Sequence, residues 1–139
     1  MPEQVRELYE AYFAEFQELE QGRRLGAGAF GLGGGPRDYP CHGQFAKKLE
    51  RLLKELEGTL SPEQAEEVVE YILFAHQTRK RDAVYWMLTA VHGMAAGLIG
   101  KLNPAAAAGL AARYEKAYPR RERLPAQMDA LTALKKRGK

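Results

Sequence analysis

Cys41, His42, His76 and His92 are the side chains of this chain that could act as thiol nucleophile, imidazole base or soft metal ligand. Four such groups are enough for a zinc site, and a Cys41–His42 or Cys41–His76 pair would be the start of a thiol nucleophile. Their spacing speaks against both. Adjacent Cys and His rarely ligate one ion together, and thiol catalysis needs an oriented base and a third group. If the helices holding His76 and His92 form a tight hairpin turning near residue 80, His76 comes beside Tyr85. His92 then lies seven residues further on, ~10 Å along the helix axis. His92 is better read as donating to a backbone carbonyl or to Tyr85. The sequence therefore predicts no metal, no cofactor and no catalytic residue, and leaves a small enzyme or metal protein around Cys41, His42, His76 and His92 as the least favoured reading.

The stretch RRLGAGAFGLGGGPRDY at 23–39 is a second place to look for chemistry, since residues 22–35 include seven glycines. Gly26 to Gly31 fits G-x-G-x-x-G, the phosphate-cradling pattern. That pattern works only after a strand and directly before a helix. Here a charged helix precedes it and more glycines follow. The kinase form would also need a strand lysine and an HRD-type loop, which are absent. Residues 22–40 are read as a glycine-rich loop tacked down by Phe30 and Leu32.

A third group is basic and aromatic. Arg79, Lys80 and Arg81 stand beside Tyr71, Phe74, Tyr85 and Trp86, and rings next to cations can hold single-stranded nucleic acid or a peptide. Arg120, Arg121 and Arg123 and the tail Lys135–Lys139 carry more positive charge. The net charge of +3 is unevenly placed: residues 1–78 hold 8 basic and 14 acidic side chains, residues 79–139 hold 13 and 4. Such a split suits an anionic partner for the basic half, or mutual attraction of the halves within one chain or across a dimer. No helix-turn-helix recognition pattern is evident, so any nucleic-acid binding is expected to be blind to sequence.

These residues must be positioned by helices, because no segment alternates as a strand does. The most apolar run is DAVYWMLTAVHGMAAGLIGKL, 82–102, read as one buried central helix. It is nearly long enough to cross a bilayer. His92 near its middle, three glycines, and the charged faces of neighbouring helices make it a core element instead. Thr89, Gly93 and Gly97 form a small-residue row where another backbone can approach.

Prolines mark the helix starts, since the first helical position loses nothing by lacking an N–H. The periodicity predicts helices over 2–21, 41–57, 62–79, 82–102, 104–117 and 125–136, with a frayed tail at 135–139. Ser61 and Gln64 form a capping box, and Asn103 is a further cap. Whether the third and central helices are continuous is open. The predicted core comprises Tyr12, Phe16, Leu49, Leu52, Ile72, Leu88, Val91 and Leu98. The expected fold is all-α: a compact bundle of about six helices around 82–102, forming one domain over 1–139. Helix starts about 21 residues apart also fit a short HEAT-like stack of helical hairpins.

With one cysteine, no intramolecular disulfide is possible, and the N-terminus lacks a secretory pattern, so a cytoplasmic setting is expected. The leading functional expectation is a non-catalytic helical protein-interaction module, binding a protein partner or itself as a homodimer. Its candidate contact residues are Arg79, Lys80, Arg81, Tyr85, Trp86, Arg120, Arg121 and Arg123. The alternative is nucleic-acid binding through the basic half.

Overall fold

The computed structural model describes residues 1–25, 39–76 and 81–139, and the side chains of these except 23–25 and 81–83. The fold is all-α. Helices α1 (Glu3–Leu25), α2 (Pro40–Glu57), α3 (Pro62–Phe74), α4 (Arg81–Ala90), α5 (Ala96–Ile99), α6 (Pro104–Ala117) and α7 (Pro125–Arg137) are joined by two 3₁₀ turns, His92–Ala95 and Arg120–Glu122. No helix among the described residues is long and apolar enough to cross a membrane.

Local signals set most of the boundaries. Pro40, Pro62, Pro104 and Pro125 each occupy the first turn of a helix. The capping box at α3 is formed: the Gln64 N–H donates to Ser61 Oγ at 3.2 Å, and the Ser61 N–H donates to Gln64 Oε1 at 3.0 Å. Asn103 makes no side-chain cap bond, so Pro104 alone marks that start. The Lys54–Glu50 pair one turn apart closes to 3.7 Å. α1 does not stop at Gln21. It continues through Gly22 to Leu25, because a glycine lowers helix propensity by only ~1 kcal/mol and does not by itself end a helix. The glycine-rich loop beyond it, 26–38, lies outside the described residues. α3 ends at Phe74, while residues 77–80, which decide its continuity with α4, also lie outside them.

The main correction concerns 82–102, which is not one helix. It is α4, a 3₁₀ turn and the short α5. The Met94 N–H reaches the Val91 carbonyl three residues back, at 2.9 Å, which tightens the chain there. A tighter turn advances side chains by about 120° per residue instead of about 100°. Val91, Ala95, Leu98, Ile99 and Leu102 are buried, and α5 touches α2, α3 and α7. On α4 it is Met87 that points inward, and Leu88, expected in the core, is half-buried. Leu52 is also half-buried, because with Leu8 it lines an open groove of about 340 Å³ between α1 and α2. Tyr12, Phe16, Leu49, Ile72, Val91 and Leu98 are buried as the periodicity requires.

The same turn splits the small-residue row. A Cβ on Gly93 would lie 3.7 Å from Ala126 of α7, whereas one on Gly97 would lie 2.9 Å from the Glu57 carboxylate at the end of α2. Two different elements therefore cover the two glycines, and they do not form one continuous groove. α7 closes the bundle, packing on α6, α5, α4 and the 3₁₀ turn. The helix runs to Arg137, whose Nε donates to the Leu102 carbonyl, and Lys135 pairs with Glu115 at 3.1 Å. The acidic and basic halves meet at Glu70 and Arg113, 2.9 Å apart, with the Arg113 guanidinium 4.1 Å above the Phe74 ring.

Candidate functional site

Each of the four chemistry-bearing side chains is buried, and each histidine is matched with a tyrosine. The first pairing lies where α1, α2 and α4 meet. Pro40 starts α2, so Cys41 and His42 fall in its first turn and face α1. His42 Nδ1 and the Tyr12 hydroxyl are 3.0 Å apart, and the His42 ring stacks on Trp86 with centroids 4.4 Å apart. Tyr39, just before the helix, donates its hydroxyl to the buried Glu20 at 3.2 Å. Trp86 also stacks on Tyr12 at 5.4 Å.

Cys41 is 1% exposed, and burial, with Glu15 nearby, pushes its thiol up to about 11. At neutral pH it is a thiol, and the thiolate is the reactive form. The His42 ring contacts Trp86, Tyr12, Phe16 and Tyr39.

His76, just past the end of α3, stacks on Tyr9 with centroids 4.4 Å apart and planes within 9°, and meets the edge of Tyr71 at 4.6 Å. It does not sit beside Tyr85, which is 49% exposed on α4. Tyr9 is fully buried, and its hydroxyl has no hydrogen-bond partner among the described residues. Burial raises the pKa of that phenol well above its ordinary value.

His92 opens the 3₁₀ turn. Its partner is neither a backbone carbonyl nor Tyr85: its Nδ1 is 2.7 Å from the Tyr114 hydroxyl of α6. Gln127 of α7, 1% exposed, completes the link. Its Oε1 accepts the Leu124 N–H at 3.0 Å, and its side chain acts on the Tyr114 hydroxyl. Burial, with His76 nearby, lowers the His92 pKa to about 4, so the ring is neutral at physiological pH. The chain Gln127–Tyr114–His92 joins α7, α6 and the turn. Among the described residues, no three His, Cys, Asp or Glu side chains come together as a metal set.

The basic candidates lie elsewhere. Arg79 and Lys80 are outside the described residues, and Arg81 begins α4 with its side chain undescribed. Trp86 is taken up by its stacking on His42 and Tyr12, so it does not form one surface with the half-exposed Tyr85. Arg120 and Arg121 stand exposed on the second 3₁₀ turn, and Arg123 Nε donates to the Tyr118 carbonyl at 2.8 Å. Arg120 and Arg123 border a groove of about 420 Å³ between α6 and α7, with Lys135, Glu115 and Thr132 on its walls and Met128 and Leu131 as its apolar lining.

Two residues here escaped the sequence reading. Met128 falls at helical spacing with the apolar Leu131 and Leu134, yet it is 50% exposed. The buried stripe of α7 is Gln127, Ala130, Leu131 and Leu134, with Gln127 in the place Met128 would take. The signal hiding it was Gln127, a polar residue drawn inward by Tyr114 and the Leu124 N–H. Comparison with family models, with curated proteins and with solved structures finds no match for this chain.

Proposed function

We propose that this chain is a non-catalytic helical module that binds another protein. One observation carries the reading: the side chains able to do covalent or metal chemistry are spent inside the core. His42 and His92 are hydrogen-bonded to Tyr12 and Tyr114, His76 is stacked on Tyr9, and Cys41 is 1% exposed with a raised pKa. What the chain offers outward is charge on fixed helices, with grooves between them. Such a surface suits recognition by shape and charge.

The reading is tested by co-purification with cross-linking, followed by reconstitution from purified components. The expected result is a stoichiometric complex with a protein. Sedimentation of the chain alone at low and high salt separates self-association from binding to a different protein. Stoichiometric zinc lost on substituting His76 or His92, or turnover lost on substituting Cys41, would overturn it.

Sequence-independent nucleic-acid binding is a second reading, favoured by the adjacent exposed Arg120 and Arg121. It is weakened by Trp86, the best stacking platform in the chain, being engaged by His42 and Tyr12. Affinity for single-stranded RNA that falls steeply with salt would support it.

A further inference from the structure

We propose that the groove between α6 and α7 docks an acidic amphipathic segment of a partner protein, which seats an apolar side chain on Met128 and sets carboxylates against Arg120 and Arg123. The inference rests on the protein-binding reading and names the chemistry of the partner. Three features of the groove converge on it.

The first is uncompensated charge. Lys135 is neutralised by Glu115 across 3.1 Å. Arg120 has no carboxylate partner among the described residues, and Arg123 is bonded to a backbone carbonyl only. Guanidinium forks match carboxylates in a planar, two-bonded geometry, so two of them at one rim call for separated carboxylates. The Arg123 bond to Tyr118 fixes one fork in place before any partner arrives.

The second is an apolar floor that has no reason to face water. Met128 is one of the two large hydrophobic residues that stand exposed among the described residues, and it adjoins the buried Leu131. A flexible thioether adapts to aliphatic and aromatic anchors alike, as methionines on helix-binding surfaces do.

The third is the absence of features that would suit nucleic acid at this spot. Among the described residues no aromatic ring lines the groove, and Glu115 lies on its wall. A continuous phosphate backbone would meet that carboxylate, whereas a peptide can place its carboxylates only where the arginines stand.

The test uses the full chain and a fluorescein-labelled helical peptide with a leucine stripe and glutamates elsewhere. Controls are the same peptide with lysine for glutamate, and a shuffled glutamate peptide without the stripe. Fluorescence anisotropy is expected to show saturable, salt-sensitive binding of the first peptide, none of the lysine peptide and weaker binding of the shuffled one. Arg120→Glu and Met128→Ser, both at exposed side chains, should leave the thermal melt unchanged and weaken binding roughly tenfold each. Equal affinity of the wild type and both variants, or of the striped and shuffled peptides, overturns the proposal. So does tighter binding of single-stranded RNA that is lost in Arg120→Glu. If a purified protein partner binds both variants as tightly as the wild type, the groove assignment fails and the protein-binding reading stands. If no protein partner forms a stoichiometric complex, that reading fails as well.

Discussion

Acidification should destabilise this fold through His92 before any other histidine effect is needed to explain it. The ring is 3% exposed, and its pKa falls from 6.5 to about 4 because burial and the nearby His76 disfavour the cation. The unfolded chain therefore binds a proton in a window where the native state does not. For a group with a depressed native pKa, that stability is fully present above the unfolded value and is lost as pH falls through the native one. Converted at ~1.4 kcal/mol per pH unit, the interval from 6.5 to about 4 is worth about 3 kcal/mol. That is a large share of the ~5–15 kcal/mol typical of a domain. Carboxylates titrate in part of the same window, so the measurement must be a difference. Urea unfolding is followed for the wild type and for His92→Gln between pH 7 and pH 4. The variant should be less stable at pH 7, having lost the Tyr114 bond. It should also lose about 3 kcal/mol less than the wild type on acidification. Parallel pH profiles for the two proteins, or a native-state NMR titration placing His92 near its ordinary value, would refute the argument.

The broken central segment predicts unequal costs along it. Leu98→Ala, at a fully buried site touched by three helices, should destabilise by ~2–5 kcal/mol, and the half-buried Leu88→Ala by roughly half as much or less. Equal costs in chemical denaturation would favour one unbroken buried helix. Tyr9→Phe removes a buried hydroxyl that has no hydrogen-bond partner among the described residues, so it should leave the melting temperature unchanged or raise it. A loss of ~2 kcal/mol or more would mean that the hydroxyl is bonded.

The parts of this fold that were legible in the sequence are those governed by neighbours along the chain. Proline starts, the Ser61–Gln64 box and the inward phase of Tyr12 and Phe16 are local statements, and they hold. What failed was the assumption that one helical phase persists from Asp82 to Leu102. Nothing in Val91-His92-Gly93-Met94 forbids an α-helix. The 3₁₀ turn is supported by groups distant in sequence: the Tyr114 hydroxyl reaching His92, and Ala126 packing against Gly93. Leu88, upstream of that turn, is half-buried while its neighbour Met87 is buried, and Gly93 and Gly97 face different elements, Ala126 and Glu57.

The candidate site was hidden in a different way. Sequence reading seeks function where reactive residues are, and here those residues stabilise the interior. A neutral imidazole can sit in a core only with its nitrogens or its ring face engaged. The tyrosines supply both kinds of contact, through the hydroxyls of Tyr12 and Tyr114 and the ring of Tyr9. Tyr114 ties α6 to the 3₁₀ turn through its hydroxyl, and Gln127 of α7 acts on the same hydroxyl. Gln127 is buried on α7 while its neighbour Met128 stands outside, bordering the groove of Arg120 and Arg123, so the inward turn of one and the outward turn of the other are coupled through the phase of the helix. Replacing Gln127 with leucine would test that coupling. If the polar chain sets the phase of α7, the variant should lose stability and also change the solvent exposure of Met128, read by its rate of oxidation to the sulfoxide. Loss of stability with an unchanged oxidation rate would show that α7 is held in phase by Ala130, Leu131 and Leu134 alone.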